Sequence, residues 1–243
     1  MNSQKSANKF GDFLFLYRGI IPVGLLLVAF SVRFYNARQG ATYEAYFDII
    51  CLCMAILGLA IRMTVVGHSP KGTSGRNKGR QLADQLNTKG WYSMVRHPLY
   101  VANFLVWLSV ALLGHSSIFM LIFLILFAIF YRTIITVEEH FLEKKFGPVY
   151  LIWKKATPKY FPNPFQYESN QSPFNLKKVI RKEKNGVAAV FLVFFLFQLI
   201  DAIGSAQLSD FLITHLFWVI AMIVSGMTYF SIKIITKKTN WLH

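Results

Sequence analysis

Two clusters of polar and aromatic side chains flank one long apolar stretch of the chain. The first cluster, residues 90–100, reads GWYSMVRHPLY and ends where the apolar stretch begins at Val101. The second cluster, Glu138-Glu139, follows the same stretch. A guanidinium, an imidazole, tyrosines and two carboxylates can together bind a ligand that carries charges of both signs. Ionisable groups at the edge of a bilayer are costly and usually functional, so these clusters predict a binding or catalytic site where membrane meets water.

The elements that position these clusters are bilayer segments. Hydrophobic residues make up 54% of the 243-residue chain, the mean hydropathy is +0.42, and the apolar residues form continuous blocks rather than amphipathic periods. The blocks cover residues 13–34, 47–66, 101–131, 187–203 and 211–235. A spanning helix needs roughly 20 apolar residues, so the third block is too long for one span. The interruption GHSS at 114–117 predicts a short helical hairpin there, which gives about six membrane segments in an all-α polytopic fold.

The Lys and Arg residues favour this count, because basic residues accumulate in cytoplasmic loops. With a cytoplasmic N-terminus, the segments 62–96 and 132–184 and both termini lie inside, and they hold nearly all of the basic residues. In the predicted exterior loops, Arg38 is the only Lys or Arg. We therefore expect an integral membrane protein, in the inner membrane of a bacterium, whose site faces the cytoplasm.

The charge and cysteine content exclude some classes of function. A formal net charge of +15 does not predict nucleic-acid binding here, because the basic residues flank bilayer segments, where anionic headgroups attract each of them by about 1 kcal/mol. The expected partner is an anionic membrane surface. The N-terminal apolar run contains Arg18 and has no clear cleavage site, so we expect a retained anchor rather than a signal peptide. Cys51 and Cys53 share one apolar block at a spacing that indicates neither a disulfide nor a metal site.

Composition divides the chain into an N-terminal helix pair (1–66), a core (67–165), a polar linker (166–186) and a C-terminal helix pair (187–243). Within the core, the segment 134–153 is predicted to form an amphipathic helix along the membrane interface. Lys144, Lys145 and Lys154 would lie on its polar side, and the prolines at 158–164 would end it.

A purely structural role could also explain each candidate site residue. His97 could cap the helix that Pro98 begins, Arg96 could extend to the headgroups, and tyrosines are common at membrane interfaces. The pair Glu138-Glu139 alone is typical of a solvated helix start. The joint arrangement favours a functional site, because the predicted hairpin returns the chain to the face where the Arg-His-Pro sequence lies.

The order and spacing of these motifs resemble the isoprenylcysteine carboxyl methyltransferase and phospholipid methyltransferase superfamily of integral membrane enzymes. The resemblance covers residues 76–165, and its motifs are LNTKGWY at 86–92, RHPLY at 96–100, EE at 138–139, FG at 146–147 and YFP at 160–162. In that superfamily S-adenosylmethionine binds at the cytoplasmic membrane edge. The resemblance implies cofactor contacts at Asn77, Leu86, Tyr92, His97, Pro98, Tyr100 and Glu138.

As catalytic residues we predict Arg96, Arg132 and Glu139. Arg132 is the nearest candidate for an arginine that the prenylcysteine enzymes carry just before the acidic pair, where this chain has Ile134.

The residue types agree with a methyl-transfer site. S-adenosylmethionine carries a sulfonium, an ammonium and a carboxylate, so its pocket needs an anion, a hydrogen-bond donor and aromatic faces. Glu138, His97 or Arg96, and the tyrosines can supply these groups. Methyl transfer is an in-line displacement, in which positioning of the nucleophile does much of the work. An amine acceptor needs a general base whereas a phosphate or carboxylate does not, so the lack of an unambiguous base favours an oxyanion.

The expected acceptor is a membrane lipid or a lipidated substrate. The candidates are a headgroup phosphate such as that of lipid A, a phosphatidylethanolamine amine, and a lipidated peptide carboxylate, and we favour a headgroup. Two other functions stay open. The membrane sterol reductases contain a C-terminal unit that resembles this one but binds NADPH, so the two cofactors distinguish the classes. A non-enzymatic scaffold or transport subunit would bind neither.

Overall fold

The computed structural model describes residues 21–70, 73 and 83–238, and the regular structure within these residues is helical. We number the helices in chain order: α1 (Ile21–Arg38), α2 (Ala45–His68), α3 (Trp91–Met94), α4 (Pro98–Leu112), α5 (Ser117–Phe146), α6 (Pro148–Ala156), α7 (Leu176–Gly204), α8 (Phe211–Thr214) and α9 (Leu216–Lys238). Short 3₁₀ turns cover Pro164–Gln166 and Leu208–Asp210. The predicted all-α class is confirmed.

Four of these helices, α2, α5, α7 and α9, are long and apolar enough to cross a membrane. The shorter apolar helix α4 has 15 residues. The first predicted block begins at residues that lie outside the described part of the chain, and α1 covers the rest of it. The architecture is that of a polytopic membrane protein, as predicted, whereas the count of six crossings stays a prediction.

The predicted hairpin at residues 114–117 is present. Helix α4 ends at Leu112 and α5 begins at Ser117, so the connection is short. The Ser116 hydroxyl accepts a hydrogen bond from the Phe119 amide at 3.2 Å, which satisfies one of the amides that a helix start leaves without a partner. The hairpin therefore brings Glu138 and Glu139, in the second half of α5, back to the start of α4.

The predicted interfacial helix over 134–153 is wrong. Residues 134–146 extend α5 to 30 residues, and α6 is a separate helix. The break falls at Gly147, whose φ of +52° favours glycine, and Pro148 begins the next helix. Thirty residues at 1.5 Å each span about 45 Å, more than the roughly 30 Å hydrocarbon core. The last turns of α5 therefore carry charged side chains beyond the apolar layer.

The predicted polar linker over 166–186 is also partly helical, because α7 begins at Leu176. The Asn175 side chain caps this helix by accepting a hydrogen bond from the Lys178 amide at 2.8 Å. Lys, Arg and Glu fill the first turns of α7, and these residues favour helix as strongly as many apolar ones. Hydropathy alone placed the boundary too late for that reason.

Close packing of α2 against α4 fixes the helix that carries the Arg-His-Pro sequence. A Cβ on Gly58 would lie 2.7 Å from the Ala102 carbonyl oxygen and 2.8 Å from a methyl of Val106. Only glycine permits this approach without displacing the α4 backbone.

A buried ionic contact ties both of these helices to α7. Arg62 donates through Nε and Nη2 to the two carboxylate oxygens of Glu183, at 2.8 and 3.0 Å, and through Nη1 to Asn103 Oδ1. The Glu183 side chain is 4% exposed. A bidentate arginine–carboxylate pair is directional as well as strong, so it fixes the position of α7 on the core.

Candidate functional site

A short irregular segment carries the Arg-His-Pro sequence between α3 and α4. Val95 is extended and His97 occupies the position before the first helical residue, Pro98. The Arg96 amide donates to the Pro158 carbonyl at 2.9 Å, and the Asn163 amide donates to the Met94 carbonyl at 3.0 Å. The proline-rich segment after α6 therefore holds the sequence in place through the backbone.

The Glu139 carboxylate of α5 lies at the centre of a set of cationic groups. Its Oε1 accepts a hydrogen bond from Arg96 Nη1 at 2.7 Å and lies 3.2 Å from His97 Nε2. Its Oε2 lies 3.5 Å from Lys154 Nζ and 4.0 Å from Lys159 Nζ. The side chain is 9% exposed, so these contacts compensate its charge away from bulk water.

The neighbouring Glu138 has a different environment. Tyr100 donates its hydroxyl hydrogen to Glu138 Oε2 at 2.6 Å, and the same oxygen lies 3.7 Å from His97 Nδ1. The Tyr100 ring stacks on the His97 ring with centroids 5.6 Å apart and meets Tyr131 edge-on. The Glu138 side chain is 34% exposed. His97 thus has a carboxylate near each ring nitrogen, and one of these carboxylates remains open to a ligand.

Tyr92 connects this carboxylate to the loop before α3. Its side chain is hydrogen-bonded to Asn87, and both burial and the negative charge of Glu138 raise the pKa of its hydroxyl. The Trp153 indole of α6 donates to the Tyr92 carbonyl at 3.1 Å. Burial likewise raises the pKa of Tyr150, which lies within the field of Glu139. Both tyrosines therefore stay neutral hydrogen-bonding groups.

A cavity opens on the other side of Tyr92. It is lined by the end of α2, the loop before α3 and a segment that precedes α7; the lining residues are Val65, His68, Ser69, Pro70, Gln85, Leu86, Asn87, Thr88, Lys89, Trp91, Tyr92, Asn170, Gln171 and Ser172. Most of the polar groups among them are uncharged amides and hydroxyls. Tyr92 is shared between this cavity and the carboxylate cluster.

The structure brings most of the predicted site residues together. Arg96, His97, Pro98, Tyr100, Glu138 and Glu139 meet where α4 and α5 face each other, and Leu86 and Tyr92 line the adjoining cavity. Arg132 is exposed on α5, and its carbonyl accepts a hydrogen bond from the Thr136 hydroxyl; its catalytic role stays a prediction. Asn77 lies outside the described residues.

The sequence prediction missed several participants. Lys154 and Lys159 were assigned to the membrane surface or left without a role, whereas both face Glu139. Residues 170–172 were assigned to a linker, although they line the cavity. The two lysines lie close in sequence to the prolines that end the core, and this position could have indicated their role. The sequence contains no comparable indication for residues 170–172.

The fold and the site define a helical membrane protein with a polar, carboxylate-centred pocket at the end of a helical hairpin. Residues 49–149 match the family model described as phospholipid methyltransferase. The predicted resemblance to the isoprenylcysteine carboxyl methyltransferase and phospholipid methyltransferase superfamily is therefore confirmed over the segment that contains α2, the Arg-His-Pro sequence and the hairpin.

Two relatives are similar to parts of this chain, one over well more than half of it and the other over about a third. The cobalt-zinc-cadmium resistance protein CzcN of Cupriavidus metallidurans is 29% identical over 152 residues, which cover 62% of this chain and 66% of the relative. The nickel-cobalt-cadmium resistance protein NccN of Alcaligenes xylosoxydans xylosoxydans is 37% identical over 78 residues, 32% of this chain and 36% of the relative. The chain thus spans about two thirds of the first relative and about a third of the second. No solved structure matches it.

Proposed function

We propose that the protein is an S-adenosylmethionine-dependent methyltransferase that methylates an anionic oxygen of a membrane lipid headgroup at the cytoplasmic face. The observation that carries this proposal is the meeting of His97 and Tyr100 with a partly exposed Glu138 within the family-matched segment, next to Tyr92, which lines the cavity and lies within the field of Glu138.

The two glutamates support a cationic ligand because their charges are compensated differently. Glu139 faces Arg96, Lys154 and Lys159. Within the described part of the chain, His97 is the ionic neighbour of Glu138, whose side chain is 34% exposed. The Glu138 charge is therefore available to the ammonium or sulfonium of S-adenosylmethionine, while the amides and hydroxyls of the cavity suit ribose and purine. The residues present fit the cofactor.

The residues of the chain bind and position rather than react. When bound, S-adenosylmethionine supplies an electrophilic methyl group, which an anionic oxygen takes up without first losing a proton. The carboxylate of Glu138, which is one-third exposed, favours a positive charge at this point. The Arg96–Glu139 pair holds His97 against α5, which fixes the pocket before the acceptor arrives.

Two observations support an anionic acceptor. Lys144, Lys145 and Lys155 are exposed where α5 and α6 leave the apolar layer, and cations there attract anionic headgroups. The relatives are named as resistance proteins for divalent metal cations. Methylating a phosphate or carboxylate oxygen removes a negative charge, so the modified surface attracts divalent cations less strongly.

Phosphatidylethanolamine is the second candidate acceptor. An amine must lose a proton before it is methylated, so this acceptor requires a general base at the site.

Calorimetric titration with S-adenosylhomocysteine, followed by methyl transfer into vesicles, tests the proposal. We expect binding by the purified protein and incorporation of labelled methyl groups into phosphatidylglycerol vesicles. Label in phosphatidylethanolamine vesicles alone would overturn the anionic acceptor in favour of the amine. Absence of S-adenosylhomocysteine binding would overturn the proposal. Binding of NADPH by the same purified protein would then support the reductase class.

The exposed lysines offer a second test. Replacing Lys144, Lys145 and Lys155 with glutamine should raise the KM for anionic lipid at low salt, because each charge contributes about 1 kcal/mol and salt screens it. The Kd for S-adenosylhomocysteine should not change. The matched control replaces the three exposed lysines at the end of α9: Lys233, Lys237 and Lys238. An equal rise in KM in both variants would show that the lysines only attract the protein to the surface.

A further inference from the structure

The segment 166–175, which we call the connecting segment, lies outside the family-matched residues 49–149 yet forms one side of the cavity. It leaves the 3₁₀ turn at Pro164–Gln166 and leads to α7. Asn170, Gln171 and Ser172 line the cavity together with residues of the loop before α3.

The first end of the connecting segment is fixed to that loop through Glu168. The Gly90 amide donates to the Glu168 carbonyl at 2.8 Å, and the Glu168 amide donates to the Ser93 hydroxyl oxygen at 2.9 Å. The Lys89 ammonium also forms an ion pair with the Glu168 carboxylate. Gly90 has a φ of +62°, and a Cβ there would lie 1.9 Å from Asn170 Oδ1. The backbone of the segment therefore lies directly against residues of the candidate site.

The second end is fixed to the end of α2. The Asn175 amide donates to the Gly67 carbonyl at 3.0 Å, and the Phe174 ring packs against the His68 ring with centroids 5.2 Å apart. Lys178, in the first turn of α7, donates to the Ser69 carbonyl. Because both ends are held by the elements that line the cavity, the residues between them form a defined wall.

We propose that Asn170, Gln171 and Ser172 contact the adenosine part of S-adenosylmethionine, so that the connecting segment supplies part of the cofactor site. The proposal rests on the proposed function. Together with Asn87, which lines the same cavity, these side chains carry neutral donors and acceptors, which match ribose hydroxyls and the purine edge. Tyr92 lines the same cavity and lies within the field of Glu138, so Glu138 would hold the positively charged end of the cofactor.

Protection of an introduced cysteine tests this placement in the full-length protein. Ser172→Cys puts a thiol on the cavity wall, and the matched control Ser169→Cys puts one on an exposed position of the same segment. Labelling by a maleimide is followed with and without saturating S-adenosylhomocysteine, against the background from Cys51 and Cys53 in the unchanged protein. When the ligand occupies about nine-tenths of the sites, about a tenth of the thiols at position 172 stay accessible, so we expect labelling there to slow about tenfold. The rate of labelling at position 169 should not change.

A second variant measures the contact without labelling. Asn170→Ala should raise the Kd for S-adenosylhomocysteine about fivefold, the effect of losing one neutral hydrogen bond. The Kd for 5′-methylthioadenosine, which keeps the adenosine part and lacks the charged amino-acid part, should rise by the same factor. A purely structural role would lower the Tm while leaving both Kd values unchanged.

The two proposals fail differently. Lack of S-adenosylhomocysteine binding by the unchanged protein would overturn the proposed function and this inference with it. Binding with equal protection, or equal lack of protection, at positions 169 and 172 would overturn the inference alone.

Discussion

The adjacent glutamates of α5 are expected to perform different tasks: Glu139 stabilises the fold and Glu138 binds the cofactor. Replacing each by glutamine in turn tests this difference. In Glu139→Gln, Arg96 loses the charge that compensates it, although its side chain is only 12% exposed. Breaking one partner of a buried ion pair costs about 3–5 kcal/mol. Glutamine keeps an acceptor oxygen, so we expect the lower end, about 3 kcal/mol. For a chain of this length that corresponds to a fall in Tm of about 6–12 °C.

Glu138→Gln should show the opposite pattern. Glu138 is one-third exposed, and the amide oxygen of glutamine can still accept the hydrogen bond of Tyr100. The change in stability should therefore stay below about 1 kcal/mol. A charged hydrogen bond to the cofactor contributes about 1.5–3 kcal/mol, so its loss should raise the Kd for S-adenosylhomocysteine about 10- to 150-fold.

Thermal unfolding in detergent and calorimetric titration of both variants provide the measurements. The matched control is Glu143→Gln, one turn further along α5, where the side chain is 44% exposed and its recorded partner is Lys154. The control should change neither Tm nor Kd appreciably. A Glu139→Gln variant with the Tm of the unchanged protein, or a Glu138→Gln variant with unchanged affinity, would refute the division of tasks.

Two further predictions concern the cavity wall and the topology. Gly90→Ala and Gly40→Ala each place a side chain at positive φ, a strain of about 1–3 kcal/mol, but only the alanine at position 90 also clashes with Asn170. We therefore expect both variants to lower the Tm and only Gly90→Ala to raise the Kd for S-adenosylhomocysteine. Equal Kd values in the two variants would contradict a contact between Asn170 and the ligand. Because basic residues mark the cytoplasmic side, Gln39→Cys should react with an impermeant maleimide added outside intact cells, whereas Ser169→Cys should not. Comparable reaction at both positions would contradict the predicted topology.

The sequence predicted the helices wherever one physical signal decided them. Apolar blocks of sufficient length identified the membrane segments, and the polar, glycine-containing interruption at 114–117 placed the hairpin. The end of α5 was misplaced because hydropathy falls after Tyr131 while helix propensity does not. Only the local backbone requirement at Gly147-Pro148 ends that helix.

The centre of the candidate site was predictable for a related reason. The Arg-His-Pro sequence and the glutamate pair lie at the two ends of one hairpin, so a local turn suffices to bring them together. The roles of Lys154 and Lys159 depend on how the chain turns back at Gly147, which hydropathy does not register. The wall at 170–172 depends on the long-range pairing of Gly90 with Glu168, for which neither residue type gives a signal.

The contacts of α7 argue that the C-terminal part is integral to the site rather than an addition to a complete core. The family match ends at residue 149, yet Arg62 within it is 16% exposed and receives its bidentate partner, Glu183, from α7. The same arginine binds Asn103 on α4, the helix that begins with the Arg-His-Pro sequence. Removing α7 would leave a poorly solvated guanidinium without its carboxylate, at a cost of several kcal/mol. It would also remove Lys178, one of the contacts that hold the second end of the connecting segment. The family-matched segment 49–149 therefore depends on α7 to hold the helices that carry the candidate site.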